Sequence, residues 1–422
     1  MKAVAKPRAF RGITGNVLTF GFVSFLTDAS SEMIYPLLPA FLTTVLGAGP
    51  AFLGVIEGVA ESTAAALKLL SGIWSDRVRN RARLVLAGYS LSSCSRPLVA
   101  AATSAYHVLF IRFADRVGKG LRTSPRDAMI ADEVDPALRG KAFGFQRSLD
   151  HAGAVVGPLL ATALLTWWIR DLRTLFWLAS VPGFFAVLLI LLRVREHRVV
   201  AQDARVHGAR HFSMPQGTLR AYLLILLLFT LGNSTDAFLL LRAGQLGVPV
   251  AQLPLIWVAL HVVKMASTMP LGAWSDRLGR PSAFGYGIPS PTPPQGGGVP
   301  GLGRRRMILA GWSIYALAYA GFAIATRPWH AWALFALYGV FYGSTEGTER
   351  ALMTDLAPPQ ERGAAFGWYH GIVGIGALPA SILFGLLWQR FGAAAAFSVG
   401  AMVAACAAVL LVFFVRPASP TT

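Results

Sequence analysis

The stretch GIWSDR at residues 72–77 decides how this sequence is organised, because it returns as GAWSDR at residues 272–277. In both copies a long apolar run leads into the glycine, and basic residues follow. Two further pairs occur in the same order. They are TDA at 27–29 with TDA at 235–237, and RGKAFG at 139–144 with RGAAFG at 362–367. Three ordered matches predict an internal duplication.

The composition places the chain in a membrane. Of its 422 residues, 55% are hydrophobic and 14% are charged, and the mean hydropathy is +0.54. Soluble domains carry about 25% charged residues, so this chain has too few to cover a water-facing surface. A membrane-spanning helix needs about 20 apolar residues. We therefore predict an all-helical membrane protein with about twelve spans, at residues 14–45, 51–73, 83–103, 105–132, 142–168, 174–193, 219–245, 250–273, 306–326, 330–355, 364–388 and 392–415.

The distribution of basic residues predicts the orientation. The formal net charge is +18, from 38 basic and 20 acidic residues. Lys and Arg concentrate at the N-terminus, in the connections after even-numbered spans and in the C-terminal tail, and cytoplasmic loops carry such an excess. We expect a multi-pass protein of the bacterial inner (plasma) membrane with both termini in the cytoplasm. Because the loops account for most of the positive charge, nucleic acid is not an expected partner.

The duplication predicts two six-helix halves. The N-terminal half covers residues 1–193, a basic cytoplasmic linker covers 194–218, and the C-terminal half covers 219–416. The segment 281–304 is rich in Pro, Gly and Ser and interrupts the second copy of the motif. Its composition is typical of a disordered segment, so we expect a dispensable cytoplasmic insertion. A regulatory or partner-binding role is the alternative.

The paired motif resembles the loop between the second and third spans of the major facilitator superfamily, Gly-x-x-x-Asp-Arg-x-Gly-Arg-Arg. The first copy departs from this pattern at Arg79, where the family usually has Gly. The resemblance covers nearly the whole chain. It implies a major facilitator fold of twelve helices in two pseudo-symmetric halves, similar to the bacterial drug/proton antiporter-type exporters.

We predict that the motif latches the two halves in one conformational state. Its aspartate can pair with an arginine or cap a helix across the loop. The repeat also matches Arg126-Asp127 with Glu349-Arg350, so facing copies can form salt bridges between the halves. The predicted latch residues are Gly72, Asp76, Arg77, Arg126, Asp127, Gly272, Asp276, Arg277, Glu349 and Arg350. The alternative is that these basic loops only anchor the topology.

A second motif, Gly153-x-x-x-Gly157-Pro158, lies in the fifth predicted span. Glycines four residues apart form a groove for a neighbouring helix, and proline bends the span. The motif resembles the antiporter motif of the superfamily, which is associated with efflux members. That resemblance implies export rather than uptake, and plain helix packing is the alternative.

The fourth predicted span carries a stripe of charges at spacings of three and four, which places them on one face of a helix. A charge at mid-depth of a bilayer costs about 2.5–3.5 kcal/mol, so this face must line water or protein. The stripe consists of Arg112, Asp115, Arg116, Lys119, Arg122, Arg126 and Asp127. In the alternative interpretation, the residues from Lys119 onward form a cytoplasmic loop. Arg112 resembles the family's span-four arginine, which is associated with proton transfer.

Two groups of candidate residues follow. A membrane carboxylate beside an arginine can load and release a proton as its partner moves. The proton-coupling candidates are Asp28, Glu32, Arg112 and Asp115. The substrate-cavity candidates are Glu57, Glu61, Arg116, Lys119, Arg122, Arg147, Asp150, Asp236, Lys264, Tyr338, Tyr342 and Glu346. For each of the carboxylates, the alternative is a static ion pair that holds two helices in register.

The favoured function is secondary active transport, as proton-coupled export of a small organic molecule by alternating access. No P-loop, nucleophile–base set or metal-ligand cluster is present, so we expect neither enzymatic activity nor a cofactor nor a metal site. The expected partners are a small-molecule substrate, protons and the lipid bilayer, and the expected state is a monomer. One alternative is a carrier of an anionic, carboxylated or phosphorylated metabolite by exchange or symport. Another is a non-transporting membrane receptor or assembly factor on a transporter scaffold.

Overall fold

The structure, a computed structural model of the chain, describes residues 15–77, 80–134, 139–194, 215–278, 302–357 and 362–415. These residues are helical apart from short connections, and none of them forms a strand. The helices are α1 (Gly15–Ile34), α2 (Pro50–Arg77), α3 (Arg81–Ala101), α4 (Ala105–Glu133), α5 (Arg139–Trp167), α6 (Leu172–Arg193), α7 (Gly217–Gly232 and Ala237–Gln245), α8 (Leu253–Leu278), α9 (Leu302–Ile324) and α10 (Pro328–Leu356). The stretch Arg362–Phe414 is divided at Gly392, whose φ of 87° is left-handed, into α11 and α12. The predicted all-helical fold is confirmed.

Six described stretches are long and apolar enough to cross a membrane by length and composition. They are Ala142–Trp167, Leu172–Arg193, Gly217–Gln245, Val250–Gly272, Gly303–Ile324 and Ala365–Phe414, the last of which holds both α11 and α12. The helices outside this set are α1–α4 and α10, and all of them carry acidic or basic residues inside their apolar runs. Their polarity has a structural reason, because these helices line the interior cavity described below.

The second half is held together by aromatic packing. The rings of Phe229 and Trp312 stack 4.3 Å apart, and those of Tyr315 and Tyr319 stack 4.1 Å apart. All four side chains are buried. In a bilayer, where lipid is as apolar as the side chains, such van der Waals contact is the main force between helices. These contacts lie behind the part of the cavity wall that the second half forms, and they hold its helices together.

The two halves pack together along α2 and α11, and they also meet at one end of the molecule. The segment Leu38–Ala40, which continues α1, packs against Ala237–Gln245 of α7. The backbone N–H of Ala51 donates to Oε1 of Gln389 over 3.3 Å. Twelve crossings bring residues 15 and 415 to the same side of the membrane, which we call the terminal side. The contacts of Leu38–Ala40 and Ala51 lie at the opposite, non-terminal side and close the interior there.

The largest difference from the predicted spans is in α7. The sequence predicts one span over 219–245, whereas the helix opens between Gly232 and Ala237. Residues 233–236, Asn-Ser-Thr-Asp, are polar and favour turns over helix, which explains the break. The repeat-related segment of α1 stays helical through Asp28. Irregular backbone at this depth is tolerated because it faces a polar cavity rather than lipid.

Two predicted segments fall largely outside the described residues. The linker 194–218 includes 195–214, and the insertion 281–304 includes 281–301, neither of which the structure describes. Residues 302–304 belong to α9, and residues 217–218 belong to α7. Helix α9 therefore begins inside the predicted insertion, and α7 begins inside the predicted linker.

Candidate functional site

A cavity of about 370 Å³ lies between the two halves. This volume falls in the range of pockets that hold small molecules. Both halves contribute to its walls, through α1–α4 on one side and α7, α8, α10 and α11 on the other. Its charged lining residues are Asp28, Glu32, Glu61, Asp115 and Asp236, which are acidic, and Arg96, Arg112, Arg116, Lys119 and Arg122, which are basic. Tyr35, Trp257, Tyr342 and the α7 residues 233–235 also line the cavity.

The charged stripe lies on a continuous helix. Because α4 extends to Glu133, the residues from Lys119 onward are helical rather than a loop. Glycines on its other side bring it close to its neighbours. A Cβ at Gly118 would meet the backbone of Gly88 on α3, and one at Gly120 would meet Leu67 on α2. Small residues at these contacts direct the long basic side chains toward the cavity.

Arg112 is fixed by a fully buried carboxylate. Its Nη2 donates to Oε1 and Oε2 of Glu57 over 2.8 and 2.9 Å, and its Nε donates to Oε1 over 3.2 Å. Glu57 has 0% of its surface exposed. A buried carboxylate without a partner is strongly unfavourable, so each side chain makes the other tolerable at this depth. Glu57 therefore lies behind the cavity wall rather than in the lining.

Two other arginines of the cavity are also neutralised. Arg116 lies 3.3 Å from Oε1 of Glu61. Asp115 lies between two guanidinium groups, 3.8 Å from Arg96 and 3.9 Å from Arg112. Arg96, Arg112 and Arg116 are thus balanced by Glu57, Glu61 and Asp115. This network accounts for most of the charge on the first-half wall.

Lys119 and Arg122 lie outside that balance. Within the described residues, neither has a carboxylate within 4 Å. The guanidinium of Arg122 stacks on the ring of Tyr89, 4.3 Å from its centroid, and Arg122 is 7% exposed. Its Nη1 is buried without a hydrogen-bond partner among the described residues. The Lys119 side chain is exposed within the open cavity.

The remaining acidic groups of the lining are held by neutral donors. The Nε1–H of Trp257 donates to Oε2 of Glu32 over 2.8 Å, a contact between the two halves. Asp236, at the break in α7, accepts hydrogen bonds from the hydroxyls of Tyr338 over 2.8 Å and Tyr342 over 3.0 Å. These bonds fix both carboxylates without cancelling their charge.

Asp28 meets a second carboxyl group. It lies on α1 within side-chain hydrogen-bonding reach of Asp150 on α5. Arg147 donates to Asp150 over 3.1 Å. The helices approach closely here because Gly153 and Gly157 have no side chain. A Cβ at Gly153 would clash with the carbonyl oxygen of Phe25, and one at Gly157 with that of Ala29. The Gly153–Pro158 motif therefore packs α5 against α1 and brings the two carboxyl groups together.

All four proton-coupling candidates line the cavity, as do Glu61, Arg116, Lys119, Arg122, Asp236 and Tyr342. Tyr338 is buried behind Asp236. Arg147, Asp150, Lys264 and Glu346 are outside the lining, and Lys264 pairs with Glu346 over 2.8 Å. Their contact with substrate stays a prediction.

The predicted latch is described only in part. The structure does not describe the side chains of Asp76, Arg77, Asp276 and Arg277 or the surroundings of Gly72. A Cβ at Gly272 would meet nothing within 4 Å. Arg126 pairs with Asp127 over 2.8 Å, and Arg350 lies 3.6 Å from Glu346. Glu349 accepts from Nε1 of Trp312 over 3.0 Å and from the hydroxyl of Tyr369 over 2.9 Å. These contacts lie within single halves, so bridges between the halves stay a prediction.

Sequence reasoning missed several lining residues. Arg96 is the only charged residue in the interior of the third predicted span, and that isolation was a usable signal, because charge at this depth is rare. Tyr35 and Trp257 gave no such signal, since aromatic residues are common in spans. Residues 233–235 were hidden inside a segment that the sequence predicted to be continuous helix.

Comparison with known proteins assigns the chain to a family. The family model of the Major Facilitator Superfamily matches residues 20–291 and 301–422. The chain belongs to this superfamily. An uncharacterized MFS-type transporter of Methanocaldococcus jannaschii is 31% identical over 96% of this chain and 96% of its own length. The chain is therefore an MFS transporter and an integral membrane protein.

Other superfamily members show a wider range of cargo. The multi-drug resistance efflux pump PmrA of Streptococcus pneumoniae is 27% identical over 42% of this chain and 44% of its own length. The nucleoside transporter NupG has a solved structure that matches with a TM-score of 0.71 at 13% identity, covering 95% of this chain and 98% of NupG. The second likeness concerns the fold alone.

Proposed function

We propose that this MFS transporter exports a small organic molecule by alternating access, in exchange for protons. In this proposal it lies in the inner membrane with its terminal side in the cytoplasm. The observation that carries the proposal is the position of Asp28, which lines the cavity within side-chain hydrogen-bonding reach of Asp150. The charged cavity between the halves and the contacts that close its non-terminal side support the same proposal.

A hydrogen bond between two carboxyl groups requires that one of them holds a proton, because a carboxylate only accepts. Asp28 also lies near the ammonium of Lys119 in the same cavity. A substrate charge, or a movement of Lys119 toward the pair, changes how favourably Asp28 holds that proton. The pair can therefore exchange a proton for substrate.

The state of the cavity agrees with the first step of export. Contacts between the halves close the non-terminal side, whereas Glu61 is 50% exposed and Lys119 is exposed. These exposed side chains indicate an opening toward the terminal side. With that side in the cytoplasm, the cavity is ready to accept a cytoplasmic substrate. Rocking of the halves around the site would then open the other side.

The Gly153-x-x-x-Gly157-Pro158 motif supports the direction of transport by its resemblance to the antiporter motif and by its position. It forms the α1–α5 contact that holds the carboxyl pair together. The efflux activity in the name of the S. pneumoniae relative supports the same direction. Neutralisation of three arginines by carboxylates reduces the support for a carrier that takes purely anionic substrates.

The proton site is tested first without a substrate. Infrared difference spectra of the purified protein, recorded between acidic and alkaline pH, report the carbonyl stretch of protonated carboxyl groups. We expect a band that is lost in Asp28→Asn and in Asp150→Asn. Asp171→Asn is the matched control, because Asp171 is exposed in the loop before α6.

Coupling is then tested by transport. Everted vesicles with an imposed pH gradient are given compounds that stabilise the purified protein, and loss of the gradient is followed by fluorescence. Wild type dissipates the gradient when substrate is added, and Asp28→Asn does not. Substrate-dependent transport that proceeds equally without a pH gradient and in Asp28→Asn contradicts proton coupling.

A further inference from the structure

We infer that the substrate is a zwitterion, whose anionic group binds at Lys119 and Arg122 and whose cationic group binds at Glu32 and Asp236. This inference rests on the proposed function, because it assigns a substrate class to the same cavity. Once the ion pairs within the protein are taken into account, the cavity keeps both basic and acidic side chains whose charge is not neutralised.

The cationic pole lies on α4. Lys119 and Arg122 are three residues apart and so share one face of the helix, and both line the cavity. Arg122 is 7% exposed, has its guanidinium over the ring of Tyr89, and keeps a buried Nη1 without a partner among the described residues. A planar guanidinium fixed in this way matches a carboxylate or a phosphate. Among the described residues, no hydrogen-bond partner of Nη1 competes with such a group.

The anionic pole lies on α1 and at the break in α7, and both of its carboxylates line the same cavity. Glu32 and Asp236 each accept hydrogen bonds from aromatic donors, Trp257 for the first and Tyr338 and Tyr342 for the second. Lys264 of α8 lies outside the cavity lining and is already paired with Glu346 over 2.8 Å. Both carboxylates are thus positioned but not neutralised, as a binding site for an ammonium group requires.

A substrate with a single charge satisfies only one pole. An anion would satisfy Lys119 and Arg122 but would enclose Glu32 and Asp236 without a cation, and a cation would do the reverse. Unpaired charge in a water-excluded cavity is costly. A zwitterion answers both poles at once. Lys119 lies in the first half and Asp236 in the second, so a molecule that binds both would bridge the halves during closure.

The test uses matched probes and thermal unfolding of the purified protein. The zwitterionic probes are ω-amino acids of increasing length from glycine to ε-aminocaproate, with phosphoethanolamine as a phosphate example. Caproate and hexylamine are the single-charge partners of ε-aminocaproate. We expect at least one zwitterion to raise the Tm in a concentration-dependent manner, while the acid and the amine of matched length do not.

Variants at each pole should change the preferred charge. Lys119→Gln with Arg122→Gln should weaken zwitterion binding by about ten- to a hundredfold and favour the amine. Glu32→Gln with Asp236→Asn should weaken it by about the same factor and favour the acid. Lys119→Gln alone serves where the double variant does not fold, since Lys119 is exposed. Arg390→Gln removes an exposed charge outside the cavity and should leave binding unchanged.

The proposal is overturned if caproate or hexylamine alone stabilises the wild type, or if no zwitterion does. Binding is measured without a proton gradient, so these results are independent of the proposed coupling. Zwitterion binding with no infrared band from Asp28 would contradict proton exchange and support the zwitterionic substrate. The band together with stabilisation by anions alone would support proton exchange and contradict the zwitterionic substrate.

Discussion

At the scale of single residues, Glu57 depends on Arg112. Glu57 is 0% exposed and Arg112 is 11% exposed, and the two make a bidentate pair. Replacing Arg112 with Gln should destabilise the protein by about 3–5 kcal/mol, because it leaves a buried carboxylate unpaired. Thermal unfolding in detergent measures the effect as a lower Tm. The double variant Arg112→Gln/Glu57→Gln should recover much of the loss, and equal Tm values for the single and double variants would refute this dependence.

The partners of individual charges could not be predicted from the sequence. Helical spacing placed Arg112, Arg116 and Lys119 on one face, and in the structure all three line one cavity. Whether an arginine there is neutralised depends on the rotation and depth of a neighbouring helix. Glu57 and Glu61 share a face of α2, yet one is buried behind the wall and the other is half exposed. Only the packing of α2 against α4 separates them.

At the scale of helices, the contact between α1 and α5 rests on glycine. Gly153→Ala would drive a Cβ into the carbonyl oxygen of Phe25, and we expect a loss of about 1–3 kcal/mol through separation of the two helices. Gly144→Ala is the matched control on the same helix, since a Cβ there meets nothing within 4 Å. The Tm should fall for the first variant and stay level or rise for the second. The infrared band assigned to the carboxyl pair should weaken only in Gly153→Ala.

The start of α6 provides a pH-dependent test. The backbone N–H of Thr174 donates to Oδ1 of the exposed Asp171 over 2.8 Å, and this bond holds the pKa of Asp171 below its usual range. A lowered pKa means that the stabilisation is present above the usual aspartate pKa and is lost as pH falls through the folded value. Asp171→Ala should therefore lower the Tm near neutral pH, and the difference from wild type should shrink in acid. A difference that is constant down to low pH would exclude the ionised cap.

At the scale of the molecule, the seal on the non-terminal side must open during transport. Ala51 and Gln389 meet there across the two halves. With Cys94 and Cys406 replaced by Ser, a thiol crosslink between Ala51→Cys and Gln389→Cys should abolish transport of a compound that stabilises the protein, and reduction should restore it. Ala51→Cys treated alone is the control. Undiminished transport by the crosslinked protein would mean that this contact does not have to break.

The sequence predicted the overall architecture of the molecule better than the arrangement of its interior. Hydrophobic segments and the three ordered repeats sufficed for the twelve helices and two halves, because a bilayer allows few other solutions. The break in α7 was not predicted, because residues 233–236 lie between strongly apolar flanks that gave one continuous segment. Arg96 and Trp257 were also missed, since their role follows from which side of a helix faces the partner half. Periodicity specifies faces, and packing decides what each face meets.

The break in α7 has a consequence for the two copies of the repeated aspartate. Asp28 and Asp236 occupy matching positions in the duplicated unit, and both reach the same cavity. One stands on an intact helix opposite another carboxyl group, and the other stands where the helix has opened among tyrosine hydroxyls. The two aspartates of the repeated Thr-Asp-Ala sequence thus have different neighbours. One repeated position therefore supplies two chemically different groups to a single cavity, and exchanging the two surroundings would test whether each aspartate needs its own.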